Sequence, residues 1–139
     1  MKTILIAIFA LVTLTSVCQS QIIDTVNTYG FGKMPPIYSG NKLYWERNYQ
    51  KEKGDQGAVT LSFIALSYNS CHVGLYTGFY PSGNVKTTGQ YMENTTGDWS
   101  DLKKRGLCSI QTGEWKEYAE DGTLTKTYVY ENGTLIKEY

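Results

Sequence analysis

The chain has a single histidine, no CxxC or HxxxH pair, no excess of charge of either sign, and no apolar run long enough to cross a bilayer. Each shortage removes a class of function. The only imidazole, His72, sits beside Cys71. Adjacent side chains on a strand point to opposite faces, so the two do not make a nucleophile–base pair. His72 reads instead as a partly exposed strand residue. A structural zinc needs about four converging ligands, and Cys71, His72 and Cys108 lack that spacing. No metal and no other cofactor is expected. No glycine-rich phosphate loop opens a helix. Acid pairs such as Glu117 and Glu120 flank turn residues and read as a solvated face, not as a glycosidase carboxylate pair. An enzyme is therefore not expected. Thirteen basic residues balance thirteen acids. With no basic patch for phosphates, nucleic acid is not an expected partner, and attraction to anionic lipid is weak.

What is present begins with an N-terminal leader. Met1-Lys2-Thr3 gives a short positive start, and Ile4 to Leu14 is apolar. A bilayer-spanning helix needs roughly 20 such residues, so the run has the length of a signal peptide. The expected leader is 1–20, cut after Cys18 or Ser20, and the mature protein would have no transmembrane helix. Cys18 also resembles the acylated cysteine of a bacterial lipoprotein, although Val17 replaces the small residue that signal wants. Plain release, to the periplasm or beyond, is preferred over lipidation. Losing Lys2 leaves 12 basic residues against 13 acids, a net charge near −1.

The mature chain keeps Cys71 and Cys108. In an oxidising compartment one disulfide is favoured over two free buried thiols. It would close a loop of roughly 37 residues, contributing ~3–4 kcal/mol by loop entropy.

At 139 residues the chain has the length of one domain. Two parts follow the leader. The first, 21–76, has no internal repeat. It opens irregularly through Tyr29-Gly30-Phe31-Gly32-Lys33-Met34-Pro35-Pro36. Lys42 to Tyr49 fits either a short strand or a helical turn. Lys51 to Asp55 reads as a charged turn. Val59, Leu61 and Phe63 alternate with Thr60 and Ser62, the period of a half-buried strand.

The second part, 77–139, repeats itself. Asp121-Gly122-Thr123-Leu124-Thr125-Lys126-Thr127-Tyr128 aligns with Asn132-Gly133-Thr134-Leu135-Ile136-Lys137-Glu138-Tyr139. An earlier copy runs from Ser82-Gly83-Asn84-Val85-Lys86 to Gly89-Gln90-Tyr91. A second element recurs as Thr77-Gly78-Phe79-Tyr80, Thr96-Gly97-Asp98-Trp99 and Thr112-Gly113-Glu114-Trp115. Gly83, Gly122 and Gly133 stand where a tight hairpin turn demands positive φ. Leu124, Tyr128 and Tyr130 should share one strand face, with Thr125, Thr127 and Val129 on the other. The glycines before Trp99 and Trp115 should place each indole over the next hairpin, because one hairpin cannot bury its own apolar face.

These residues resemble the MORN-type repeat in the variant form of bacterial exported proteins. Gly113-Glu114-Trp115-Lys116-Glu117-Tyr118, Asp121-Gly122, Leu124 and Tyr128 follow that pattern closely. Gly78-Phe79-Tyr80, Gly83, Val85, Gly89 and Tyr91 follow it less closely, and the copy at Trp99 departs from it, running into Ser100 to Gly106 without a second strand. The resemblance implies antiparallel hairpins joined into an elongated sheet that serves as a scaffold or binding surface, in some members antitoxin-like. Met34-Pro35-Pro36, Gly40 and Gly54 to Phe63 are similar to the C-terminal domain of TonB-like proteins.

The reading is therefore an all-β chain of antiparallel hairpin repeats after a signal peptide, acting as a non-catalytic protein-binding or scaffolding module of the cell envelope or extracellular space. The alternative is a carbohydrate-binding module, with glycan held on a row of rings: Tyr80, Trp99, Trp115, Tyr118 and Tyr128. Large rings filling a thin core is the competing explanation of those aromatics. Asn94-Thr95-Thr96 and Asn132-Gly133-Thr134 are sequons that carry glycan only in a eukaryotic secretory pathway.

Overall fold

The computed structural model describes residues 24–29, 43–52 and 57–139. The expected leader, Cys18, the Met34-Pro35-Pro36 and Gly40 stretch, and most of the charged turn lie outside the described residues.

Eight strands form one sheet whose spatial order is the chain order. They are β1 (Asp24–Tyr29), β2 (Leu43–Lys51), β3 (Val59–Tyr68), β4 (Cys71–Phe79), β5 (Val85–Glu93), β6 (Ser109–Tyr118), β7 (Leu124–Glu131) and β8 (Thr134–Glu138). β1 runs parallel to β2, and every later pair is antiparallel. The chain is thus all-β, and residues 43–49, which in sequence fit either a strand or a helical turn, belong to strand β2. The division at 76/77 falls inside β4.

The turns follow from their residues. Asn69 and Ser70 both take positive φ, 48° and 68°, and close a two-residue hairpin between Tyr68 and Cys71. Gly83 and Gly122, each at φ 88°, end three-residue loops with the same two backbone bonds. Tyr80 N–H donates to Asn84 O and Gly83 N–H to Tyr80 O; Ala119 N–H donates to Thr123 O and Gly122 N–H to Ala119 O. Asn132-Gly133, with φ 49° and 80°, makes a two-residue turn between Glu131 and Thr134. The aligned Asp-Gly and Asn-Gly copies therefore make different turns, at opposite ends of the sheet.

Those turns fix a different repeat register from the one read in the sequence. The hairpins β4–β5 and β6–β7 share turn bonds, and each has a register shift next to its turn, at Gly78/Phe79 and at Glu117/Tyr118. Tyr76 therefore corresponds to Trp115, and Gly74-Leu75-Tyr76 matches Gly113-Glu114-Trp115. Gly78-Phe79-Tyr80 is not the matching element. The second shift also places Leu124 opposite Tyr118, which breaks the expected common face of Leu124, Tyr128 and Tyr130.

Among the described residues one helix interrupts the strands: α1 (Trp99–Lys104). Asp98 caps it, its carboxylate accepting from Asp101 N–H at 3.0 Å. Lys103 and Lys104 occupy its last turn, where they suit the dipole. Thr96-Gly97-Asp98-Trp99 is thus a helix start and not a strand. The Trp99 indole does not lie over the next hairpin, because the Asp98 cap commits the chain to a helix there.

The close approaches between elements are those of neighbouring strands, with β4 and β6 also near each other. The core of this single-layer sheet is correspondingly small. Tyr44, Ala65, Cys71, Leu102, Cys108 and Trp115 are its buried apolar residues. The alternation of β3 continues beyond Phe63 to Ala65 and Ser67, both fully buried.

Candidate functional site

Register builds one continuous polar and aromatic face. Asn48 opposes Phe63, Glu46 opposes Ala65 and Tyr44 opposes Ser67. Ala65 opposes Tyr76, and Ser67 opposes His72. Tyr76 opposes Gly89, Tyr91 opposes Gln111, and Trp115 opposes Tyr128. The rings touch in sequence across the strands. Phe63 lies 5.3 Å from His72 and 5.4 Å from Tyr76, centroid to centroid. His72 and Tyr76 lie 5.4 Å and 5.6 Å from Tyr91. Tyr76 and Tyr91 lie 5.6 Å and 4.9 Å from Trp115. Offset and edge-on contacts at these separations are favourable beyond area burial.

At one end of this cluster is a buried relay. Ser67 Oγ donates to Glu46 Oε2 at 3.0 Å, and Thr28 Oγ1 donates to Oε1 at 2.9 Å. With its O–H directed at the carboxylate, Ser67 Oγ accepts from His72 Nδ1 at 3.0 Å. His72 Nδ1 is 3.8 Å from Glu46 Oε2. Two influences act on the imidazole: burial lowers its pKa below the ordinary 6.5, and the Glu46 charge pulls it back up; burial is the stronger. Burial likewise raises the phenols of Tyr76 and Tyr91.

This arrangement is not a nucleophilic triad. Ser67 lies between acid and imidazole and is 0% exposed, so its hydroxyl has no route to a substrate. Cys71 and Cys108 are bonded to each other, with Cα atoms 6.0 Å apart. The disulfide ties β4 to the segment after α1, and Leu102 and Trp99 pack on it.

The rings singled out in the sequence are scattered by the fold. Trp115 is 5% exposed; its indole lies on Gly89 of the preceding hairpin, not the next one, and its N–H donates to Gln90 O at 3.1 Å. Tyr80 is half-buried, and its hydroxyl donates to Tyr118 O at 2.7 Å, joining two neighbouring hairpin turns. Trp99 packs on the disulfide and stands 6.4 Å from Tyr68. Tyr128 shares the aromatic face, 6.4 Å from Tyr130. Gly83, Gly122 and Gly133 stand at chain reversals. Glu46, Ser67 and Tyr76 are not among the residues the sequence points to, and Tyr91 appears there only as a repeat position. The alternation of β3, continued to residue 67, was a signal for Ser67 alone; the other three come to it through strand pairing.

β8 closes one edge of the sheet. All five of its residues are exposed, including Leu135 and Ile136. Among the described residues no group of His, Cys, Asp and Glu could hold a metal ion, and no helix is long and apolar enough to cross a membrane.

No family model matches the chain, and neither a curated protein nor a solved structure matches it.

Proposed function

We propose that the protein is a non-catalytic binding or scaffolding module, exported to the cell envelope or extracellular space, that takes a partner protein's strand on β8. The observation that carries this is the edge itself. β8 pairs with β7 on one side, and its residues are exposed throughout. An uncovered edge offers a row of backbone donors and acceptors, with side chains of alternate residues to set specificity. Leu135 and Ile136 supply apolar contacts there. The disulfide fits a non-cytoplasmic, oxidising location. The bridged cysteines and the enclosed Ser67 hydroxyl support a non-catalytic role. Burial of Trp115 and the packing of Trp99 on the disulfide favour a protein partner over a glycan platform. The paired β4–β5 and β6–β7 hairpins are the features that support a MORN-like repeat.

The test uses the ladder's own geometry. Tyr139 and Thr127 exchange backbone bonds, so the N–H of the adjacent Glu138 points away from β7. Glu138→Pro removes that outward donor, while Glu138→Ala is the control for loss of the Lys126 ion pair. Capture from envelope extract of the source cells should recover a partner with the wild type and with Glu138→Ala, and lose it with Glu138→Pro. Recovery indifferent to the proline would overturn the reading.

A further inference from the structure

Beyond the β8 edge, and independent of it, the molecule has a polar cavity at the corner where β3 turns into β4. It has a volume of about 400 Å³ and is lined by Ser70, His72, Tyr91, Lys103, Gly106, Cys108 and Ser109. The chain brings these together from five places: the two-residue Asn69-Ser70 turn, β4, β5, the last turn of α1, and the segment leading into β6. The disulfide holds the last two against β4.

The lining has a consistent chemistry. It contains an ammonium, an imidazole and three hydroxyls, and no carboxylate. Lys103 Nζ is fixed by Asn69 Oδ1 at 2.8 Å, which uses one of its three protons and leaves two. His72 uses Nδ1 on Ser67, so Nε2 is the nitrogen left to the cavity. Because Ser67 donates to Glu46, the Nδ1 carries the proton, and neutral His72 presents a lone pair at Nε2. An anion entering the cavity favours a second proton on that ring. Glu46 stands behind Ser67 and steadies the resulting imidazolium from the other side.

From this geometry we infer that the corner is a binding site for a small carboxylate, held by the Lys103 ammonium and the His72 imidazole, with uptake of a proton at His72 Nε2. A monoanion matches the site better than a phosphate dianion. The cavity offers one fixed positive charge, and the second arises only on proton uptake, with the Glu46 carboxylate close behind. The titratable groups around the imidazole are Glu46 of β2, Tyr76 of β4 and Tyr91 of β5, and Lys103 of α1 lines the same cavity. Of these only Lys103 is a cation, and the two phenols are held neutral through the working pH range. Binding should therefore tighten as pH falls toward the imidazole's midpoint.

His72 is the chain's only histidine, so its ring carbon–hydrogen NMR signals need no assignment by mutation. Sodium acetate is added to the folded mature protein at constant ionic strength, with sodium chloride and inorganic phosphate as parallel arms. The expected result is a saturable shift of the His72 signals with acetate, a rise of about 0.5 in the pH midpoint of the ring, and a smaller effect of phosphate. Lys103→Ala should abolish the saturable shift, and Lys104→Ala, the exposed neighbour on the same helix, should keep it. Circular dichroism shows whether each variant is folded. No saturable shift with acetate, a response equal to that of chloride, tighter binding of phosphate, or retention in folded Lys103→Ala would each overturn the proposal. None of these measurements involves β8, so failure here leaves the edge-binding reading untouched.

Discussion

Trp115 lies flat against the backbone of Gly89, so close that a Cβ at residue 89 would stand 2.2 Å from the indole ring. The two residues belong to neighbouring hairpins, joined by the β5–β6 ladder, and the contact packs one against the other along that seam. The indole N–H completes it by donating to Gln90 O. Gly89→Ala should therefore force the ring out of its seat. Overpacking of this kind costs about 1–3 kcal/mol. Urea unfolding should show that loss, and the tryptophan emission should shift to the red as the 5% exposed indole meets water.

That seam also shows what the sequence could and could not tell. The glycines at residues 83, 122 and 133, the alternation from Val59 to Phe63, and the pairing of Cys71 with Cys108 were legible because each is a local rule of turn, period or compartment. Gly89 against Trp115 was not, because it depends on which strand lies beside which and with what shift. The helix at Trp99–Lys104 was hidden for another reason. Thr96-Gly97-Asp98-Trp99 imitates the hairpin element, and only the Asp98 cap distinguishes the two. The Glu46–Ser67–His72 relay joins β2, β3 and β4, with Glu46 21 positions from Ser67 and Ser67 5 positions from His72. No spacing rule anticipates it.

The disulfide between Cys71 and Cys108, at a separation of 37 residues, should be a large part of this thin-cored protein's stability. Loop closure of that length corresponds to about 4 kcal/mol. The double variant Cys71→Ser/Cys108→Ser should unfold at lower urea by that order, with α1 lost first because Leu102 and Trp99 pack on the bridge. Hydrogen exchange across 99–104 reports the order of loss. Equal protection of α1 in the variant would contradict it.

Stability should depend on pH through His72. Its native pKa is lowered by burial, so the unfolded chain takes up a proton first as pH falls. The contribution is whole above about 6.5, and it is lost as pH drops from there toward the lower native midpoint. Urea midpoints measured between pH 8 and 5 should fall over that window. His72→Gln should remove the step, leaving only the carboxylate-driven decline at lower pH. A step that persists in His72→Gln would assign it elsewhere.

Gly83 and Gly122 hold the same place in equivalent turns, and both have φ 88° with open space around the missing Cβ. The obstacle to a side chain there is the backbone conformation alone. Alanine at either position should cost about 1–2 kcal/mol, and asparagine, which tolerates the left-handed region, less. Thermal melts of the two alanine variants should shift by similar amounts. Unequal shifts would show that the bonds joining the turns, Tyr80 to Tyr118 O and Asn84 to Glu120 O, support one turn more than the other.

The relay gives the sharpest test of the buried polar network. Ser67→Ala removes the donor to Glu46 Oε2 and the acceptor for His72 Nδ1 at once. Leaving such buried groups without partners costs about 1–3 kcal/mol. His72→Phe keeps a ring among Phe63, Tyr76 and Tyr91 while removing the orphaned N–H. In that background Ser67→Ala should cost less than in the wild type, by about 0.5–1 kcal/mol. The difference arises because the hydroxyl then serves only the carboxylate. A double-mutant cycle by urea denaturation measures the coupling, and strictly additive losses would mean that the hydroxyl and the imidazole do not stabilise each other.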